Sequence, residues 1–353
     1  MGAEIESVVV AVLTYRRADE LSALLPILVQ QASSVSTQHR SVGIIVVDND
    51  PVASARAIVS SAASTAALRG IEIRYRHEPE PGISSARNCA LDAAAADDVL
   101  VFIDDDERPT SKWLPELLSV RDQYAAEVVQ GPVVSEFEQP LDPWIVAGGF
   151  FRRRRMPTGT VLDVAVTNNL LLELAPIRRL GLRFDLELGT TGGEDTLFTR
   201  SLYRAGVRMI WSAEAVVVDI VPEHRATRRW VTQRAISTGN ATALVTLKLS
   251  DERQRVVSRL ALISRACARL VGGGLKILVG KVRKSDPLVA QGARTGARGL
   301  GMALGALGYG YHEYARDGQS SVQRINWRRR DDRRNQSPSS RRQLDSQAQQ
   351  GGI

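Results

Sequence analysis

Phe102-Ile103-Asp104-Asp105-Asp106-Glu107-Arg108-Pro109 sets four carboxylates in a row directly behind an apolar run. Like charges this close repel unless a cation or solvent screens them. Magnesium suits such a cluster: it takes one or two carboxylates, keeps several waters and draws its other ligands from substrate phosphates. A solvated acidic turn is the alternative. Thr191-Gly192-Gly193-Glu194-Asp195-Thr196 is a glycine turn entering a helix, whose positive end favours acidic residues. Either carboxylate could also serve as a general base in a crevice formed with the other loops. Pro81-Gly82-Ile83-Ser84-Ser85-Ala86-Arg87-Asn88 opens another helix, with Ser84 near the cap and Arg87 in the first turn. An arginine there opposes the helix dipole, so a nearby anion such as a nucleotide diphosphate, or an ion pair with Asp92 or a loop carboxylate, would compensate. The segment is not GxGxxG and lacks the acidic residue of a ribose site, which leaves a dinucleotide-binding reading weak.

The elements that must position these residues alternate. Ser7 to Leu13, Gly43 to Val47 and Val99 to Ile103 are continuous apolar runs, each ending in polar or acidic residues. Helices are predicted over Asp19 to Gln31, Ser54 to Leu68, Ser84 to Ala96, Ser111 to Tyr124 with Ser111 as cap, and Glu194 to Ala205. The alternation predicts an α/β domain on a mainly parallel sheet, and ligands bind beyond the carboxyl ends of such strands. Thr14-Tyr15-Arg16-Arg17, Asp48-Asn49-Asp50-Pro51 and Asp104 to Glu107 are therefore expected to converge. A strand pair, Val207 to Trp211 and Ala215 to Ile220, and a helix from Ala226 to Leu249 follow. From Glu252 to Arg316 arginine-studded apolar stretches alternate with glycines, and glycine disfavours long helices. The tail beyond Asn326 has the composition of a disordered segment. The divisions read from this texture are a catalytic domain over 1–249, an amphipathic helical extension over 250–316 and a basic tail over 317–353.

With 353 residues, 44% of them hydrophobic, the chain can build one large core and an extension. Cys89 and Cys267 lie far apart with no metal-ligand spacing, so a disulfide framework or structural zinc is not expected. The opening lacks the features of a secretory signal and no long uncharged apolar run occurs, so a cytosolic chain is expected. The net charge is +7, with much of the excess after Arg253, which points to a polyanionic partner such as anionic lipid or nucleic acid.

Taken in order, Leu13 to Arg17, Val46 to Pro51, Pro81 to Asn88, Asp104 to Pro109, Thr167-Asn168-Asn169-Leu170 and Gly192 to Asp195 resemble family 2 glycosyltransferases with a GT-A fold. Within that family they are similar to the bacterial exopolysaccharide subgroup that includes succinoglycan-type glucosyltransferases. The resemblance covers Val8 to Ala241. It implies a nucleotide-sugar pocket of Thr14, Tyr15, Arg16, Asp48, Asn49, Asp50, Arg87, Asp104 and Asp105. It further implies an Asp104/Asp106 pair holding Mg²⁺ or Mn²⁺, Asp195 as general base beside Glu194, and a UDP-sugar donor with glucose as the first candidate. A glycan or lipid-linked acceptor on the inner face of the membrane goes with it, and a second copy of the chain is also open as a partner. Two departures stand out. Many members carry Asp-Asp where this chain has Asp48-Asn49, and some place a metal-binding histidine where the nearest one here is His224.

Trp144, Phe150, Phe151 and Trp211 could stack on sugars or fill core, and Arg228, Arg229, Trp230, Gln233 and Arg234 could meet an acceptor or form a solvated face. A nucleotidyltransferase also uses a carboxylate pair with Mg²⁺, but Thr14 to Arg17 lacks its glycine-rich signature. A basic nucleic-acid binder would leave the acidic loops unexplained, since carboxylates repel phosphate.

Overall fold

The computed structural model describes residues 5–312 and 321–325. The chain divides into two units, residues 1–323 and 324–353, and the description below concerns the first. The tail expected to be disordered, beyond Asn326, lies outside the described residues.

Strands β1 (Glu6–Thr14), β2 (Arg40–Asp48), β3 (Ile73–His77) and β4 (Val99–Asp104) run parallel, linked by α1 (Ala18–Val35), α2 (Arg56–Ala67) and α3 (Ile83–Ala93). Then come β5 (Glu107–Pro109), α4 (Trp113–Tyr124), β6 (Val128–Gln130), β7 (Val133–Phe137), α5 (Pro143–Gly148), β8 (Asn169–Glu173), α6 (Leu174–Leu180), α7 (Glu194–Arg204), β9 (Met209–Trp211) and β10 (Val217–Val221). The main sheet has seven strands in the order β3-β2-β1-β4-β8-β6-β9, with β8 antiparallel to its neighbours. A three-stranded sheet, β5-β10-β7, stands beside it.

From Val8 to Leu13 β1 is apolar at every position because both faces of the sheet are covered. Val8, Val10 and Val12 pack under α1, α2 and α4, whereas Val9, Ala11 and Leu13 pack under α3, α6 and α7. Residues alternate between faces with period two, so one strand serves two cores. On α1, Leu21, Leu24, Leu25 and Leu28 are fully covered at helical spacing, each contributing about 1.5–3 kcal/mol of burial.

Three expectations are corrected. The helix predicted from Ser111 starts at Trp113, and Lys112 at its cap makes no side-chain bond. Gln31 of α1 substitutes, accepting from Leu114 N at 3.2 Å and donating to the Thr110 and Ser111 carbonyls at 3.0 Å each. The predicted strand pair is not a pair: β9 closes the edge of the main sheet, while β10 lies between β5 and β7. The glycine-broken C-terminal stretch forms two long helices, α9 (Glu252–Val282) and α10 (Asp286–Ala306), behind α8 (Arg228–Leu249). Its glycines are contact points rather than breaks. A Cβ on Gly301 would sit 1.8 Å from the Ile236 carbonyl oxygen, and one on Gly239 2.1 Å from that of Arg298. Only a bare backbone lets α8 and α10 approach that closely, which outweighs glycine's low helix propensity.

Candidate active site

The parallel register aligns Thr14 with Asp48 and Leu13 with Asp104, so the loops after β1, β2 and β4 leave from one edge. Asp48 is fully buried and organises its own turn, accepting from Tyr75 Oη at 2.9 Å, Ala55 N at 2.8 Å and Asp50 N at 3.0 Å. Asn49 ties that turn to the next loop: its Nδ2 donates to the carbonyls of Glu78 and Glu80 at 2.7 Å, and its Oδ1 accepts from Gly82 N at 3.3 Å. Arg16, in a left-handed conformation (φ 55°), reaches Asp50 at 3.4 Å and lies over the Tyr15 ring.

The acidic turn is balanced by arginines. Asp105 is buried and accepts from Thr14 Oγ1 at 2.8 Å and Arg17 at 2.6 Å. Asp106 Oδ2 receives both Arg17 at 2.9 Å and Arg225 at 3.0 Å. Glu107 is held from two sides, by Asp104 N at 3.1 Å and Asn168 Nδ2 at 2.9 Å, and burial, then Asp104, keeps it well above the usual carboxylate range. Burial pushes the Asp104 carboxyl up to about 7; Arg87 pulls it down, and Asp106 and Asp105 push it further up. Negative charge at Asp104 therefore needs a compensating cation.

Across the crevice, α7 is entered through Gly193, whose φ of 94° admits glycine readily and where an added Cβ would lie 3.1 Å from Ala241 and Val245 on α8. Behind it, Arg87 and Glu194 form a buried ion pair, with the guanidinium also over the Phe184 ring. Burial works against the charge on Arg87, but Glu194, Asp104 and Asp195 together hold it above its ordinary value. One guanidinium thus acts on the acidic turn and on the start of α7. Asp195 is half-buried; its Oδ1 accepts from Thr196 N at 2.5 Å and Thr196 Oγ1 at 3.2 Å, and Oδ2 has no donor among the described residues. Such a carboxylate can take a proton from a bound hydroxyl.

Arg87 does not pair with Asp92, which lies on another side of α3 and binds Arg183 instead. Ser84 caps nothing; its hydroxyl donates to the Asp185 carbonyl. His224 is exposed in the turn after β10, and among the described residues no three His, Cys, Asp or Glu side chains are gathered as a ready ligand set. Arg17, Arg225 and Asn168 were not given a role from sequence and Glu107 was read only as part of the acidic cluster, although Arg17, Glu107 and Asn168 stand inside quoted motifs and Arg225 follows His224. Asn169 is structural, bonding Trp113 Nε1, Pro132 O and Ala215 O. The aromatics mostly pack on each other, Trp144 on Phe150 and Phe151 on Trp230, while Trp211 is core.

Residues 9–175 match the family model described as Glycosyl transferase family 2. The succinoglycan biosynthesis protein ExoM of Rhizobium meliloti (strain 1021) is 36% identical over 230 residues, covering 65% of this chain and 72% of that protein. The chain belongs to glycosyl transferase family 2. Among solved structures, the mannosyltransferase PcManGT from Pyrobaculum calidifontis, in complex with GDP-Man and Mn²⁺, shares the GT-A fold of this glycosyltransferase: TM-score 0.52, 16% identity, 83% of this chain and 86% of that one. S. aureus TarS overlaps more loosely, TM-score 0.48 at 15% identity, and the glycosyltransferase spans 41% of that longer chain. Membership makes sugar transfer, and not nucleotidyl transfer, the activity of the catalytic domain.

In the glycosyltransferase, Arg87→Ala would strand Glu194, whose Oε2 already lacks a partner. Removing one member of a buried pair costs about 3–5 kcal/mol. Urea unfolding of Arg87→Ala should record a loss of that size, and Arg87→Met with Glu194→Met should recover most of it. A loss under about 1 kcal/mol in the single variant would contradict a buried pair.

Proposed function

We propose that this glycosyltransferase moves a hexose, glucose as first candidate, from a UDP-sugar onto a hydroxyl of a lipid-linked glycan, with inversion, in polysaccharide synthesis. The carrying observation is the buried ion pair of Arg87 with Glu194, the neighbour of Asp195 at the start of α7, on a guanidinium that the charge of Asp104 also stabilises, which supports a crevice shared by the acidic turn and a proton-accepting carboxylate. The succinoglycan role in the name of ExoM supports the polysaccharide assignment. Tyr15, Arg16, Asn49 and Asp50 line the nucleoside side, with Asp48 and Thr14 holding the loops in register. Asp104 and Asp106 hold Mg²⁺ or Mn²⁺; Asp106 Oδ1 and the Asp104 carboxylate have no donor among the described residues and are open to it. An ion held by Asp104 and Asp106 would supply positive charge to the leaving diphosphate. Asp195 takes the acceptor's hydroxyl proton as its oxygen bonds to the anomeric carbon. The carbon–oxygen bond to the diphosphate breaks, and its electron pair departs with the diphosphate. No covalent nucleophile is required.

A thermal-shift and hydrolysis screen of nucleotide sugars with and without Mn²⁺ tests the reading. A UDP-sugar should raise Tm and be hydrolysed slowly only with metal; indifference to every nucleotide sugar would refute it.

The helical extension supports a site at the inner membrane face. No helix among the described residues is long and apolar enough to cross a membrane. On α9, Leu262, Ala266, Gly273 and Gly280 are buried, while Val256, Leu260, Val271, Leu275, Leu278 and Val282 recur at helical spacing on another face and are exposed. Arg265, Arg269 and Lys276 lie on one side of the helix between this stripe and the buried face, and Glu252 is the one acidic residue of the helix. A second copy would set like charges against each other, whereas an anionic lipid surface complements them. The protein should float with anionic vesicles at low salt, and V271E/L275E/L278E should not. Equal flotation of both would remove α9 as the anchor, and salt-independent dimers by light scattering would favour a second copy.

A further inference from the structure

A cavity of about 350 Å³ opens beside the site, walled by Arg152, Arg154, Asn168, Thr196, Arg200 and Trp211. Its size is at the lower end of small-ligand sites, about 300–1,000 Å³. Two of its residues lead directly to the chemistry: Thr196 bonds Asp195 through its amide and hydroxyl, and Asn168 bonds Glu107, which in turn holds the Asp104 amide.

Its charge is unbalanced. Arg153, also in the wall, is neutralised by Asp219 at 2.6 Å. Arg152, Arg154 and Arg200 have no ion pair among the described residues. Arg294 of α10 adds to the positive field: burial and then Arg152 hold it below its ordinary value. Exposed arginines such as Arg152 and Arg154 are commonly only solvated, but the deeper wall is different. Trp211 is 2% exposed and its Nε1 has no acceptor; Arg200 Nε and Asn168 Oδ1 are likewise out of solvent without partners. Buried polar groups are rarely left unpaired, so a wall with two spare donors and one spare acceptor points to a hydrogen-bonding ligand. A sugar ring supplies both kinds of partner, and guanidinium forks match carboxylate and phosphate oxygens.

We propose that this cavity is the acceptor subsite and that the acceptor sugar carries a compact anion, a carboxylate or a phosphate. The inference rests on the transferase reading for the meaning of acceptor, while anion binding at the arginines is read independently. Saturation-transfer NMR on the full chain, with glucuronic acid, glucose 6-phosphate and glucose as probes, tests it. At least one anionic sugar should give signals that glucose does not, and the stronger of the two identifies the anion. Arg200→Gln should weaken those signals about tenfold or more, and Arg200→Lys should restore part of them. Should Arg200→Gln fail to fold by circular dichroism, Arg154→Gln on the exposed rim carries the same expectation. Equal signals from glucose, no signal from either anion at millimolar concentration, or undiminished signals in the folded variants would overturn the proposal. Hydrolysis of nucleotide sugars by the wild-type protein reads the donor assignment separately: its absence beside intact anion binding removes the proposed UDP-sugar donor and leaves the anion site standing.

Discussion

Asp195→Asn should lower sugar transfer about 100- to 10,000-fold while leaving UDP affinity within about twofold of wild type, because general-base catalysis contributes on that scale. The geometry separates the two neighbouring carboxylates. Glu194 is buried against Arg87, and burial raises its carboxyl above the ordinary value. Asp195 keeps Oδ2 available beside the cavity that Thr196 lines. The amide that replaces it retains Oδ1 as an acceptor for the Thr196 hydrogen bonds but has no carboxylate to take a proton. Steady-state kinetics beside calorimetry with UDP decide the matter: transfer within a few fold of wild type in a folded variant would remove Asp195 as the base. Glu194→Gln should act on stability first, since it weakens the pair with Arg87.

Asp104→Ala/Asp106→Ala should abolish metal-dependent UDP binding, with calorimetric heats in Mn²⁺ falling to those in EDTA. The sign of the pH effect follows from the Asp104 carboxyl, at about 7 when folded against about 3.9 in an unfolded chain. The folded state holds this proton more tightly, so the contribution favouring the metal-free fold is complete below about pH 4 and is lost as pH rises to about 7. A divalent ion that takes the proton's place offsets the loss. The rise in Tm on adding Mn²⁺ should therefore be larger near pH 8 than near pH 5.5 in the wild type, and absent at both in the double variant. An unchanged metal response in the folded double variant would remove these aspartates as ligands.

Sequence alone determined what is encoded locally. The apolar runs of β1, β2 and β4 end in Thr14, Asp48 and Asp104 because strands covered on both faces stop being apolar where they leave the sheet, and the clusters at those ends marked the crevice. The order of the motifs was enough for the family. The amphipathic texture of α9 was also legible, since its arginines and valines repeat with the helix. Partnerships between distant segments were decided by the tertiary structure. Arg87 meets Glu194 across 107 residues only because α3 and α7 cover the same face of the sheet. Gln31 takes over the capping of α4, which displaces Ser111 from the role its residue type suggests. β10 leaves β9 for a second sheet, and the glycines of α10 mark a helix contact that propensity reads as weakness. Residue type and periodicity fix which face a side chain takes; what waits on that face depends on strand register and on how closely backbones approach, and both are properties of the folded chain.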